Sequence, residues 1–259
     1  MGYVSVAGLR LHVEEQGAGP HLVIAHGLFG SVAGAERGGV IAGDLAARGF
    51  HVVQYDARGH GRSDAASSAS DYSWSSLAGE LLGVMDALHL TRASVLGSSM
   101  GAGAALLASL QAPDRFERLV LRTPPAFGVD TRGVRRRMGA LATLYRWLGP
   151  ALTRGLLSAV GQSATAELLG EQQPGVVPTA IAGLLFGPSE LPEARFGELV
   201  CPSLILTHPR DPEHPLRSGD VLSRMPHATL RVAKTRGYWR AHPAELTRLV
   251  TAFLRGEPI

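Results

Sequence analysis

Short apolar runs alternate with longer segments of helical periodicity along the first half of this chain, and the alternation predicts its architecture. Residues 4–13 alternate in polarity around a turn at Gly8 and predict an N-terminal hairpin. The run 21–25 is short, apolar and followed by His26-Gly27, as expected of a strand buried on both faces. A Gly-rich loop and a helix over about 40–47 follow, then a strand over 50–55 that leads into Asp56. Leu77, Leu81, Val84, Met85 and Leu88 lie at helical spacing over 77–88. A strand at 93–96 then enters a tight turn, a helix follows over 102–110, and another strand lies at 119–121. Strands alternating with helices predict an α/β fold, with a mostly parallel central sheet and helices on both faces.

The rhythm stops after Arg122, because Thr123-Pro124-Pro125 can neither extend a strand nor easily open a helix. Over 127–195 only helical patterns appear, with Met138, Leu141, Leu144, Tyr145 and Leu148 on one face. Alternation resumes with a strand at 203–207, a helix near 217–224, a strand at 229–233 and a final helix over 243–254. The prediction is a core domain from 1–125 and 196–259, interrupted by a helical lid or cap insertion at 126–195. That insertion would supply a substrate pocket from Phe127, Leu144, Tyr145, Trp147, Leu184, Leu185 and Phe186, residues that packing within the lid explains equally well.

Composition narrows the function classes. With 259 residues and 45% hydrophobic residues the chain can bury a sizeable core. The net charge is +3 and the only basic run is Arg135-Arg136-Arg137, too short for a nucleic-acid stripe. The single cysteine, Cys201, excludes an intramolecular disulfide framework. No leader pattern and no apolar stretch of membrane-spanning length is found, so the expectation is a cytoplasmic protein with no membrane or nucleic-acid partner. A homo-oligomer is left open.

The chemistry sits at the ends of the predicted strands. Gly97-Ser98-Ser99-Met100-Gly101 joins a strand to a helix, and Gly-x-Ser-x-Gly in that setting is a nucleophile elbow with Ser99 at its tip. His26-Gly27-Leu28-Phe29-Gly30-Ser31 follows the strand at 21–25, and Asp56-Ala57-Arg58-Gly59-His60-Gly61-Arg62-Ser63-Asp64 follows the strand at 50–55. In this order, each at the C-terminal end of a strand, the three segments resemble the α/β-hydrolase fold family, in its small esterase, lactonase and haloperoxidase-like branch. The resemblance covers nearly all of the chain outside the insertion.

It implies a serine nucleophile, Ser99, with an oxyanion hole from the backbone N–H groups of Leu28 and Met100. It also implies that the segment 56–64 is structural, with Arg58 and Asp64 tying it down and His60 outside the chemistry. The family's acid follows the serine just past a later strand, which makes Asp211 of Thr207-His208-Pro209-Arg210-Asp211 the orienting acid. His208 stands where relatives carry glycine. The family's histidine follows the last strand in a Gly-His pair, and the matching pair here is Gly237-Tyr238. A tyrosine with its ordinary pKa near 10 is a poor general base at neutral pH.

His214, His227 and His242 follow Asp211. His227 precedes a strand, at the sheet edge opposite Ser99, and His214 would have to fold back to bridge acid and serine. His242 lies in the loop where the base is expected and is the leading candidate, with His26, Tyr238, His208 and His214 as neighbours of the site. The expectation is a cofactor-independent serine hydrolase acting on a small-molecule carboxylic ester, lactone or thioester. No metal site is expected, since His208 and His214 match no common ligand spacing. The alternatives are lyase- or cyclase-type chemistry with Tyr238 as acid or hydrogen-bond donor, or a non-catalytic binding protein.

Overall fold

A computed structural model describes residues 1–34, 41–126, 130–170, 172–173, 175–187 and 193–259. Phe127 and the predicted start of the first helix at 40 lie outside the described residues.

The strands are β1 (Gly2–Val6), β2 (Leu9–Gln16), β3 (His21–Ala25), β4 (His51–Tyr55), β5 (Ala93–Ser98), β6 (Phe116–Arg122), β7 (Ser203–Thr207) and β8 (Ala228–Val232). They form one eight-stranded sheet in the order β1-β2-β4-β3-β5-β6-β7-β8. The β1–β2 hairpin closes through Ala7 and Gly8, both at positive φ (48° and 80°), the backbone of a two-residue turn that follows the strand twist. β2 pairs antiparallel with β4, and every pairing from β4 across to β8 is parallel. The architecture is therefore an α/β fold with a mostly parallel sheet, as the alternation predicts.

Burial follows the pleat. Along β3, Val23 and Ala25 join one apolar cluster while Leu22 and Ile24 join the other, and β6 divides the same way, with Leu119 and Leu121 against Val120. Successive side chains point to opposite faces, so a strand apolar at every position must be covered twice. Helices α2 (Trp74–Ala87) and α3 (Met100–Gln111) cover the first face, while α1 (Ala42–Ala47) and α9 (Pro243–Arg255) cover the second. Each of these Leu, Ile and Val side chains contributes about 1.5–3 kcal/mol by leaving water. Helix α3 is buried at every position from Met100 to Leu110, which explains its lack of a polar face.

Between β6 and β7 the described residues carry α4 (Arg132–Ala159), α5 (Ser163–Gly170) and α6 (Val176–Ile181), the last running into one wider turn at Ala182–Phe186. α4 kinks at Gly149 (φ 73°) and Pro150, where the ring denies the helix a donor. Leu141, Ala142 and Tyr145 of α4 pack with Leu169, Val177 and Ile181 onto Phe29, in the loop after β3. The helical layer thus sits over the C-terminal ends of the strands. Two short elements, α7 (Leu216–Leu222) and α8 (Tyr238–Ala241), follow β7 and β8.

Candidate active site

β4 and β5 flank β3 on opposite sides, so the connections leaving β3 and β4 part at the C-terminal ends of the strands. In open α/β sheets the ligand crevice forms at such a point. The His-Gly loop and the serine turn both face it.

The serine turn is forced by its glycines. A Cβ on Gly97 would come within 2.5 Å of the Gly101 carbonyl oxygen, and one on Gly101 would land on the carbonyl of Ala25. Ser99 itself holds φ 49° and ψ −109°, a strained backbone for a residue with a side chain. The strain is held by neighbours: Ser99 N–H donates to the Arg122 carbonyl at 2.9 Å, and Gly101 N–H to the His26 carbonyl at 3.1 Å.

Ser99 Oγ lies 2.7 Å from Nε2 of His214. The other ring nitrogen of His214, Nδ1, lies 3.0 Å from Asp211 Oδ2. Asp211 brings its partner back by local geometry: its Oδ1 accepts the backbone N–H groups of Glu213 at 3.0 Å and His214 at 3.2 Å. This Asx-type turn curls Asp211-Pro212-Glu213-His214 so that one carboxylate fixes both the backbone and the ring of His214. Burial pushes the Asp211 carboxyl upward, but the hydrogen bond and charge of His214 and the two backbone donors outweigh it and hold the group well below the usual carboxylate range. A second imidazole also reaches it, with His208 Nε2 at 3.4 Å from the same Oδ2. Hydroxyl, imidazole and carboxylate in this sequence of contacts can pass the hydroxyl proton to the ring and hold the resulting imidazolium.

His242 is not part of this arrangement. It is exposed at the junction of α8 and α9, stacked on Tyr238 with ring centroids 4.1 Å apart, its Nδ1 2.9 Å from the Tyr238 carbonyl oxygen. Tyr238 is tied off as well, donating its hydroxyl to Glu245 at 2.7 Å. That bond to a carboxylate raises its pKa, further from a base at neutral pH. The expectation that His242 partners the serine is corrected: the loop after β8 is spent on this corner, and the imidazole at Ser99 comes from the loop after β7. The signal for His214 was present in the sequence, since Asp-Pro-Glu-His-Pro begins with an Asx-turn former and is braced by two prolines.

The remaining predicted neighbours divide clearly. Leu28 and Met100 line the same cavity as Ser99, and among the described residues neither backbone N–H has a hydrogen-bond acceptor. His26 is buried beneath the site, donating from Nδ1 to the Gly27 carbonyl at 2.8 Å and accepting the Ala57 N–H on Nε2 at 2.9 Å. Burial lowers its pKa, so it is a neutral strut joining two loops. His60 is fully buried beside it, with ring centroids 5.0 Å apart. Arg58 forms a buried ion pair with Glu80 at 2.7 Å, and Asp64 accepts the Arg10 N–H at 2.9 Å.

A cavity of about 1500 Å³ opens over Ser99. Of the predicted pocket residues, Leu144, Leu184 and Leu185 line it. Tyr145 packs inside the helical layer, whereas Trp147 (81% exposed) and Phe186 (55% exposed) face outward. Among the described residues no group of three His, Cys, Asp or Glu side chains has the arrangement of a metal site, and no helix is long and apolar enough to cross a membrane.

A family profile described as alpha/beta hydrolase fold matches residues 20–180, more than half of the chain. The chain belongs to the α/β-hydrolase fold family. Among curated relatives it is 29% identical over 273 residues to a 2-hydroxy-6-oxononadienedioate/2-hydroxy-6-oxononatrienedioate hydrolase of Pseudomonas putida, covering 95% of this chain and 92% of that one. It is 33% identical over 227 residues to the putative carbamate hydrolase RutD of Caulobacter sp. (strain K31), covering 80% and 82%. Similarity to an epoxide hydrolase of Caballeronia sordidicola is higher, at 39%, but local, covering 44% of this chain and 34% of that one. An esterase from Exiguobacterium antarcticum shares the fold with a TM-score of 0.82 at 21% identity, over 98% of this chain and 100% of that one. An enol-lactonase from Burkholderia xenovorans LB400 does so with a TM-score of 0.78, also at 21% identity, over 98% and 99%. The relatives are hydrolases, and this α/β hydrolase is an enzyme of the same kind.

Proposed function

We propose that the enzyme is a cofactor-independent serine hydrolase of a small or medium carboxylic ester, lactone or thioester, with Ser99 as nucleophile, His214 as base and Asp211 as orienting acid. One observation carries the reading: the 2.7 Å contact between Ser99 Oγ and a ring nitrogen whose partner nitrogen is already held by a buried carboxylate. In this reading Ser99 Oγ attacks the acyl carbon while His214 Nε2 takes its proton. Asp211 keeps Nδ1 protonated and stabilises the imidazolium. The N–H groups of Leu28 and Met100 receive the oxyanion, each such donor supplying about 3 kcal/mol of transition-state stabilisation. Collapse of the tetrahedral species breaks the bond to the leaving oxygen or sulfur, which takes the proton from His214. Water, deprotonated by the same ring, then releases the acid from Ser99. The helices within 126–195 act as the lid that excludes bulk water and shapes the acyl pocket.

A fluorophosphonate probe tests this directly. It should label Ser99 of the wild-type protein at neutral pH and should not label Ser99→Ala or, at a comparable rate, His214→Ala. Absence of labelling on folded wild-type protein overturns the reading.

A further inference from the structure

Four guanidinium groups line the cavity that holds Ser99: Arg135 and Arg137 from α4, Arg217 from α7, and Arg236 from the turn before α8. The whole chain is nearly balanced, with 25 basic and 22 acidic residues, so this convergence is local. The carboxylates on the same wall do not neutralise it. Asp211 is engaged by His214 and His208, and Asp130 is held by Arg132 at 2.8 Å. Glu213 is shared between Arg137 at 3.2 Å and Arg236 at 3.8 Å. Arg135 and Arg217 have no ion-pair partner among the described residues. Helix stability does not account for Arg217 either, because a cation in the first turn of a helix meets the positive end of its dipole. The cationic rim also reaches the reacting centre, since Glu213, which gathers two of the four, immediately precedes His214.

We propose that this rim selects an anionic substrate: an ester, lactone or thioester that carries a second, free carboxylate, received by Arg217 and Arg135 while the scissile carbonyl lies at Ser99. Guanidinium is the matching group for a planar carboxylate, through paired N–H donors. The apolar wall formed by Leu144, Leu184 and Leu185 then accommodates the chain between the two carboxyl functions. The inference rests on the site reading above, but it concerns binding and can be tested without turnover.

Ser99→Ala removes turnover and allows ester affinity to be measured at equilibrium. Two matched pairs place the charge at either end of the ester: the p-nitrophenyl half-ester of adipic acid against p-nitrophenyl hexanoate, and 4-carboxyphenyl butyrate against 4-carbamoylphenyl butyrate. At low ionic strength the anion of at least one pair should bind about tenfold more tightly, equivalent to about 1.4 kcal/mol. The preference should shrink in salt. It should fall toward parity when Arg217→Gln or Arg135→Gln is added. Arg224→Gln, which removes the same charge just beyond the far end of α7, should retain it. Equal affinities in both pairs, or a preference that survives loss of Arg135 and Arg217 together, overturn the inference. Fluorophosphonate labelling of the wild-type protein reports separately on the nucleophile, so failure of the rim and failure of the serine reading give different results.

Discussion

At the scale of single residues the decisive pair is Asp211 and His214, three positions apart and bound to one another through both backbone and side chain. Replacing His214 with alanine should lower kcat by roughly 10³-fold or more, because the serine hydroxyl loses the ring nitrogen that lies 2.7 Å from it. His242→Ala should leave kcat/KM within about twofold, since that ring is stacked at an exposed corner. Steady-state hydrolysis of a p-nitrophenyl ester checks both, and the opposite ranking would reinstate the loop after β8. Asp211→Asn should lower kcat by about 10⁴-fold with the fold intact, because the amide favours the wrong tautomer of His214. Asp211 is held below the ordinary carboxylate range, so it stays ionised as pH falls, and its own contribution to stability is lost only in strong acid. His208 reaches the same oxygen at 3.4 Å, and His208→Ala should reduce kcat severalfold while leaving KM nearly unchanged. Ser99 and Asp211 were legible in the sequence because each follows a strand that periodicity locates. Periodicity does not report His214, whose approach depends on a side-chain-to-backbone turn signalled only by the composition of Asp-Pro-Glu-His-Pro.

At the scale of elements the strand–elbow–helix unit is where the sequence left least freedom. Ser99 can hold its strained backbone only because glycine at 97 and 101 lets β5 and α3 close on one another and on β3. Gly101→Ala should therefore destabilise the protein by at least about 2 kcal/mol, the new methyl group landing on a backbone carbonyl that cannot move without breaking the sheet. Urea denaturation of Gly101→Ala beside the tolerant Gly43→Ala, where a Cβ meets nothing within 4 Å, measures the difference. The helices between β6 and β7 show the converse. Their presence was legible from helical periodicity, but residue type misreads their facing. Trp147 and Phe186 look like pocket residues by type, yet both are largely exposed, and Trp147 lies off the α4 stripe of Leu141 and Tyr145 by helical spacing alone.

At the scale of the whole molecule the site stands on a buried polar floor that makes stability depend on pH. His60 is fully buried, donates from Nδ1 to the Arg58 carbonyl at 2.9 Å, and among the described residues has no hydrogen-bond partner at Nε2. Burial, reinforced by the neighbouring His26, lowers its pKa to about 3, and burial shifts His26 in the same direction. In the unfolded chain a histidine takes up a proton near pH 6.5. Below that value the unfolded state binds more protons than the folded state, so stability is fully present above pH 6.5 and declines as pH falls toward 3. Each pH unit in that window costs up to about 1.4 kcal/mol from His60, or roughly 2–3 kcal/mol by pH 4.5. Asp211 loses its contribution only lower on the scale. Burial holds the Glu80 carboxyl above the usual carboxylate range, so its protonation in the folded state offsets part of the loss from the histidines. Urea midpoints at pH 7.0, 5.5 and 4.5 should fall steadily for the wild-type protein. They should fall less steeply for His60→Gln, whose amide can keep a hydrogen bond to the Arg58 carbonyl without a titrating group. Equal slopes for the two proteins would mean that His60 takes up its proton in the folded state, and the loops carrying His26 and Arg58 would then have to open around it. The same experiment reads the integrity of the site, because these loops carry one proposed oxyanion donor, Leu28, and a protonated His60 would push against the floor on which it rests.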